Sequence, residues 1–230
     1  MPTLLINGCS FAQCWNPSEE FFKALGCDEF VNLGKAGGSM SRVVRSTIEW
    51  ISQNNRPGFA IIPIPLSSRW ELSISSIEDT IDGTWFPMQI RKYIDKKNIS
   101  NLIEVEKLEK LTDLYYGSIP DIRTYWDRCF TDIISLSCFF EQNKINYLTF
   151  DMCNDFSMHH LNLYKGFEKI NLIKKNKKIL DLFSFCGNRF MWQSLKNENK
   201  KEIDPLMHHH ADQEYRQLEK YLLDYRKLYF

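Results

Sequence analysis

The sequence lacks a net charge: 29 basic residues balance 29 acidic ones. A chain with no overall field has no global attraction to nucleic acid or to an anionic membrane surface. Its short basic stretches, such as Lys174-Lys175-Asn176-Lys177-Lys178 and Lys200-Lys201, read as solvated faces, so neither nucleic acid nor a membrane is expected as a partner. Also missing is any Cys-x-x-Cys pair among the seven cysteines, which removes zinc-knuckle and thioredoxin-like readings. Cys138, inside the apolar run Leu136-Ser137-Cys138-Phe139-Phe140, reads as a small core residue. Scattered, unpaired thiols suit a reducing compartment. No apolar run reaches the length of a membrane span or a signal h-region, and the N-terminus has no basic n-region. A cytoplasmic location is therefore expected. Internal repeats and low-complexity tracts are absent as well.

What is present is enough apolar material, 43% hydrophobic and 14% aromatic over 230 residues, for one domain spanning the whole chain. Thr3-Leu4-Leu5-Ile6 reads as a short buried strand, because aliphatic and β-branched residues run together without alternation. A helix is expected over Ser18–Leu25 with Ser18 as cap, then a strand at Glu29–Leu33, a helix over Ser41–Asn54 and a strand at Phe59–Ile64. Pro63 and Pro65 remove backbone donors, so the last residues of that strand should be unpaired or lie at the sheet's end. Strand–helix–strand–helix–strand is the signature of an α/β fold with a parallel sheet covered on both faces.

The pattern then breaks. From Glu71 to Ile122 no sheet strand is evident, and Val105–Leu114 is expected to be helical, so 72–122 reads as a helical, lid-like insertion after the third strand. Trp70, Trp85, Phe86, Tyr115, Tyr116 and Trp126 would line it and could stack on a sugar ring or cover an acyl chain. A helix over Arg123–Asn143 and a strand at Asn146–Asp151 follow. Ile179–Phe185 reads either as a fifth strand or as an aromatic helix. A final helix over Asp212–Leu228 carries Tyr215, Leu218, Tyr221, Leu222 and Tyr225 along one side.

Three chemically capable stretches follow predicted strands: Gly8-Cys9-Ser10, Gly34–Ser39 and Leu66-Ser67-Ser68-Arg69. In strand order 2-1-3-4 these ends are neighbours, which is where open α/β sheets build their sites. A fourth stretch, Met207-His208-His209-His210-Ala211-Asp212, leads into the last helix. Together they supply a hydroxyl, a glycine turn, further donors and an imidazole, the parts of an acyl-transfer site. Alternatively, Ser10 is only the N-cap of a helix starting near Phe11. Gly34–Ser39 has the wrong order for a phosphate loop, Gly-x-x-x-x-Gly-Lys-Ser/Thr. Adjacent histidines point to opposite sides, so His208 with His210, even aided by His159-His160, lack a recognisable ligand set. Neither a metal nor a cofactor is expected.

These residues resemble the SGNH (GDSL-like) hydrolase superfamily of esterases and lipases. The resemblance implies a flavodoxin-like three-layer α/β/α fold with a parallel sheet of about four or five strands. Gly8-Cys9-Ser10-Phe11 fits the family's Gly-x-Ser turn, making Ser10 the nucleophile, with its own amide helping to hold the oxyanion. Asn32-Leu33-Gly34-Lys35-Ala36-Gly37-Gly38-Ser39 matches the Asn-x-Gly-x-x-Gly-x-Ser/Thr block, placing the oxyanion glycine at Gly37. The third block departs: Leu66-Ser67-Ser68-Arg69-Trp70-Glu71 stands where Gly-x-Asn-Asp is usual. Ser67 or Ser68 would then occupy the donor's neighbourhood, and Arg69 either offers a charge-assisted donor or pairs with Glu71 or another carboxylate. In the last block, counting from His209 puts Tyr215, Leu218 and Leu222 at the family's apolar helix positions, so His209 is the expected base. Asp204 is the nearest acid that could orient it; otherwise a Ser-His dyad remains. The implied activity is hydrolysis of a small-molecule or glycan ester. The rival is a non-catalytic binding module that keeps the fold and the cleft.

Overall fold

A computed structural model describes residues 1–65, 67, 69–73, 85–88, 110, 113–114, 122–151, 168–179 and 212–229. Strands β1 (Thr3–Ile6), β2 (Glu29–Asn32), β3 (Phe59–Ile64) and β6 (Asn146–Asp151) form a parallel sheet in the order β2-β1-β3-β6. That is the expected 2-1-3-4 order, with the fourth sheet strand arriving sixth in the chain. Ile179 adds a parallel bridge to Thr149 on the outer side of β6, and the rest of the Ile179–Phe185 stretch lies outside the described residues.

Alternation along the buried strands sorts the core into two faces. Leu5, Ala60, Ile62, Ile64 and Tyr147 pack under α3 (Met40–Gln53), α4 (Ile122–Gln142) and α5 (Glu168–Lys175). Leu4, Ile6, Phe59, Ile61, Leu148 and Phe150 pack under α1 (Ser10–Cys14), α2 (Glu19–Ala24) and α6 (Asp212–Tyr229). The result is a three-layer α/β/α fold. Among the described residues, no helix is long and apolar enough to cross a membrane.

Pro63 sits in a strand with neighbours on both sides without leaving an acceptor short. Asn7 N–H donates to the Ile61 carbonyl, so residues 59, 61 and 63 turn their peptide groups toward β1. Pairing with β1 ends at Ile6↔Ile61, whereas pairing with β6 continues through Pro63↔Phe150 to Ile64↔Asp151. The missing N–H therefore points past the end of β1, where Gly8 lies against the Pro63 carbonyl.

Four expectations are corrected. Trp70–Ser73 (β4) and Trp85–Met88 (β5) form an antiparallel ribbon inside the presumed helical insertion. Its register sets Trp70 opposite Met88 and Leu72 opposite Phe86, pairings with a remote partner that local periodicity does not display. Of the helix expected over Val105–Leu114, residues 110, 113 and 114 are helical and the others lie outside the described residues. Trp126 is no lid aromatic: it is fully buried beneath α4, tilted against Phe130. Cys138 faces outward, because Leu136, Ser137 and Phe140 occupy the buried face of the same helix. On α6, Tyr215, Leu218 and Leu222 are buried, but Tyr221 is 37% exposed at the edge of that stripe.

Candidate functional site

The strand ends that carry Ser10 and Gly37 are tied together by hydrogen bonds from both partners. Lys35 N–H donates to the Gly8 carbonyl at 3.2 Å. The Asn32 side chain spans the two stretches: Nδ2 donates to the carbonyls of Ala12 (2.6 Å) and Trp15 (2.9 Å), and Oδ1 accepts from Gly34 N–H (2.8 Å). Asn32 thereby engages the Trp15 carbonyl just past α1 and gives the Ala12 carbonyl a second donor beside the Trp15 N–H. Gln13 Oε1 accepts from Ala36 N–H at 2.7 Å. The chain then turns through Lys35–Gly38, closed by Gly38 N–H to the Lys35 carbonyl. Gly37 takes φ +75° in that turn, a conformation open to glycine at little steric cost.

Ser10 is not the cap of its helix. The N-cap is Cys9, which makes no side-chain cap bond, and Ser10 is the first helical residue. Cys9 is fully buried while Ser10 is partly exposed, as expected for neighbours on a tight turn. The Ser10 hydroxyl makes no hydrogen bond to a described residue. Among the described residues, neither the Ser10 nor the Gly37 amide is used by a turn, a cap or the sheet. Ser39 ends the glycine block by capping α3, its Oγ accepting from Arg42 N–H at 3.2 Å.

Beneath this turn lies polar bracing that sequence reasoning missed. Asn7 is fully buried, and its Nδ2 donates to Val43 O, Ser46 Oγ and Thr47 Oγ1 on α3. Arg42 reaches back to Asn7 Oδ1 (3.4 Å) and the Leu33 carbonyl (3.1 Å). The available signal was a polar residue at the end of an apolar strand, one position before a glycine. On the opposite face, α6 is locked to α1 and α2. Tyr215 stacks on Trp15 and donates its hydroxyl to the Phe11 carbonyl at 2.7 Å. The buried Glu219 accepts from Trp15 Nε1, from Ser18 N–H and Oγ, and from Arg216.

The third strand end differs from expectation. Glu71 pairs with Arg45 of α3 at 3.2 Å, not with Arg69. Arg69 donates to no described carboxylate; its Nε and Nη1 are out of solvent and without a hydrogen-bond partner among the described residues. The Arg69 carbonyl accepts from Arg128 Nη2 of α4 at 3.0 Å. Ser67 is buried, while Ser68, Asp204 and His209 lie outside the described residues. The structure thus ties the stretch that carries Ser10 to the stretch that carries Gly37, and Ser67 and Arg69 follow the end of β3.

Close by, Ser41 Oγ donates to Asp132 Oδ2 at 2.7 Å between α3 and α4. Burial pushes the Asp132 carboxyl above the usual aspartate range, opposed by the Ser41 hydrogen bond and the Arg128 charge. A native pKa above the unfolded one means that the folded protein holds this proton more tightly. Its stabilising contribution is present below the ordinary aspartate value and is lost as pH rises through the raised one. Asp132→Asn is expected to remove that slope from a plot of urea midpoint against pH; an identical slope in both proteins would contradict it.

An α/β protein with a hydroxyl-bearing turn and a glycine loop at the C-terminal edge of a parallel sheet is the class that fold and geometry define. Residues 6–187 match a family of unknown function (DUF6071), and the chain belongs to that family. No curated protein and no solved structure matches it.

Proposed function

We infer that this chain is a serine-dependent ester hydrolase of the SGNH type. The observation that carries the reading is the pair of unused amides, Ser10 and Gly37, on two stretches hydrogen-bonded to each other beside an unengaged serine hydroxyl. Ser10 Oγ attacks the carbonyl carbon and passes its proton to His209. The two amides hold the oxyanion of the tetrahedral intermediate. His209 then gives the proton to the departing alkoxide, leaving an acyl-enzyme that water hydrolyses by the same route. Asp204 is assigned to orient His209, and Ser67, Ser68 and Arg69 to contact the substrate.

Chain connectivity supports His209 as the base. It stands three positions before Asp212, the start of α6, a span of at most about 11 Å. Tyr215, one turn into that helix, is bonded to the carbonyl of Phe11, the neighbour of Ser10. A cytoplasmic location belongs to the same proposal, in keeping with five described cysteines of which none is in a disulfide.

The second reading, a binding module without chemistry, draws on the third block, where Leu66-Ser67-Ser68-Arg69 replaces the asparagine donor. Loss of one oxyanion donor costs about a hundred- to a thousand-fold in rate, which slows a hydrolase without abolishing it. A fluorophosphonate probe separates the two. Stoichiometric labelling, mapped to Ser10 by peptide mass, is expected. No labelling at Ser10 would leave the binding module as the function.

A further inference from the structure

Arg69 presents a charge that the described protein does not answer. A guanidinium cannot shed its proton at any ordinary pH, so burying it demands a counter-charge or hydrogen-bond acceptors. Two of its nitrogens, Nε and Nη1, are out of solvent and have no hydrogen-bond partner among the described residues. Three carboxylates near this corner are engaged by other groups, and the buried Asp151 stands beside Ile64 at the end of β6. Glu71 is paired with Arg45, Asp132 accepts from Ser41, and Asp127 is paired with Lys169 at 2.6 Å. Arg128 brings a further cation, its Nη2 on the Arg69 carbonyl. Beyond the C-terminal end of β3, between α3 and α4, Arg69 therefore holds two donors, Nε and Nη1, that no described acceptor meets.

We propose that Arg69 binds an anionic group of the substrate, so that the esters this protein takes carry a carboxylate or phosphate-type oxyanion in addition to the ester. The placement fits that role. Arg69 follows β3, the strand beside β1, and β1 delivers Ser10, so one ligand lying along the sheet's C-terminal edge can meet both. Recognition by hydrogen bonds to a charged group discriminates strongly, because an uncharged analogue leaves the two solvent-shielded guanidinium nitrogens without an acceptor. The proposal rests on the hydrolase reading for its reaction, but anion binding is measured without turnover.

The test is calorimetric titration of the full-length Ser10→Ala protein, which cannot form an acyl-enzyme. The probes are monomethyl succinate, methyl phosphonoacetate and the neutral dimethyl succinate. At least one of the two anionic esters is expected to bind about ten- to a hundredfold more tightly than the neutral one, and which of them does so identifies the anion. The preference should vanish in Ser10→Ala/Arg69→Gln and return in part in Ser10→Ala/Arg69→Lys, which keeps the charge without the planar fork. Equal binding of all three esters would overturn the proposal, as would a preference that survives Arg69→Gln. Should that variant fail to fold, the Lys variant and the salt dependence of the preference still decide: a preference unaltered by both overturns it. Loss of the hydrolase reading would appear separately, as absent fluorophosphonate labelling of the wild-type chain with anion preference intact.

Discussion

Ser10→Ala is expected to lower ester hydrolysis by about 10⁴- to 10⁶-fold while leaving the fold unharmed. The first half follows from the chemistry: without Oγ no acyl-enzyme forms, and only the oxyanion donors and substrate binding remain. The second follows from position. Ser10 is the first residue of α1, its hydroxyl makes no hydrogen bond to a described residue, and the cap is Cys9. Alanine is a better helix former than serine, so the melting temperature should move by less than about 2 °C. The measurements are kcat/KM on 4-nitrophenyl acetate and a thermal melt of both proteins. Hydrolysis that persists at the wild-type rate would remove Ser10 as nucleophile. A melting temperature that falls by many degrees would make its hydroxyl a structural group instead.

The second large effect is expected at Gly34, through packing rather than chemistry. A Cβ placed there would stand 2.4 Å from Gln13 N and 2.7 Å from the Ala12 carbonyl carbon. Both are backbone atoms of α1, so no rotamer change relieves the clash, and helix and strand end must separate. Gly34→Ala is expected to cost about 3 kcal/mol, the upper part of the usual overpacking range. For a domain of this size that lowers the melting temperature by about 6–12 °C. The same separation would strain the Asn32 bonds to Ala12 and Trp15 and the Lys35 bond to Gly8. Fluorophosphonate labelling of Ser10 should slow along with the melt. A variant as stable as wild type would mean that α1 is free to shift, and the two stretches would then not be rigidly joined. Stability lost with the labelling rate unchanged would show that the juxtaposition of Ser10 and Gly37 does not matter for reactivity.

Much of the sheet was legible because its strands announce themselves locally. Leu4, Leu5 and Ile6, Phe59 to Ile62, and Tyr147 to Phe150 are buried on both faces, and continuous apolar runs are how such strands read. Helix limits were legible where a cap marked them: Ser18 caps α2 as expected, and Gly26 follows that helix with φ +79°. At α3 the boundary moved by one residue at each end, with Ser39 as the cap. The spacing of Tyr215, Leu218 and Leu222 gave the buried stripe of α6, but the helical wheel could not say where the stripe's edge falls, and Tyr221 lies outside it.

The amino-acid order by itself determined the parallel sheet, its helical layers and the two glycine-bearing stretches, Gly8–Ser10 and Gly34–Ser39, that are joined at its C-terminal edge, since each depends on local periodicity and on the rules of parallel connection. Tertiary structure decided everything that needs a distant partner. The β4–β5 ribbon exists through pairings that span the insertion. Asn7, Asn32 and Gln13 became bracing groups only once β1, β2, α1 and α3 were assembled around them. Arg69 could be read in sequence as the partner of Glu71 two positions on, yet Arg45 of α3 takes that carboxylate. An ion pair is settled by which charges the packed elements bring within reach, and that is information no local stretch contains.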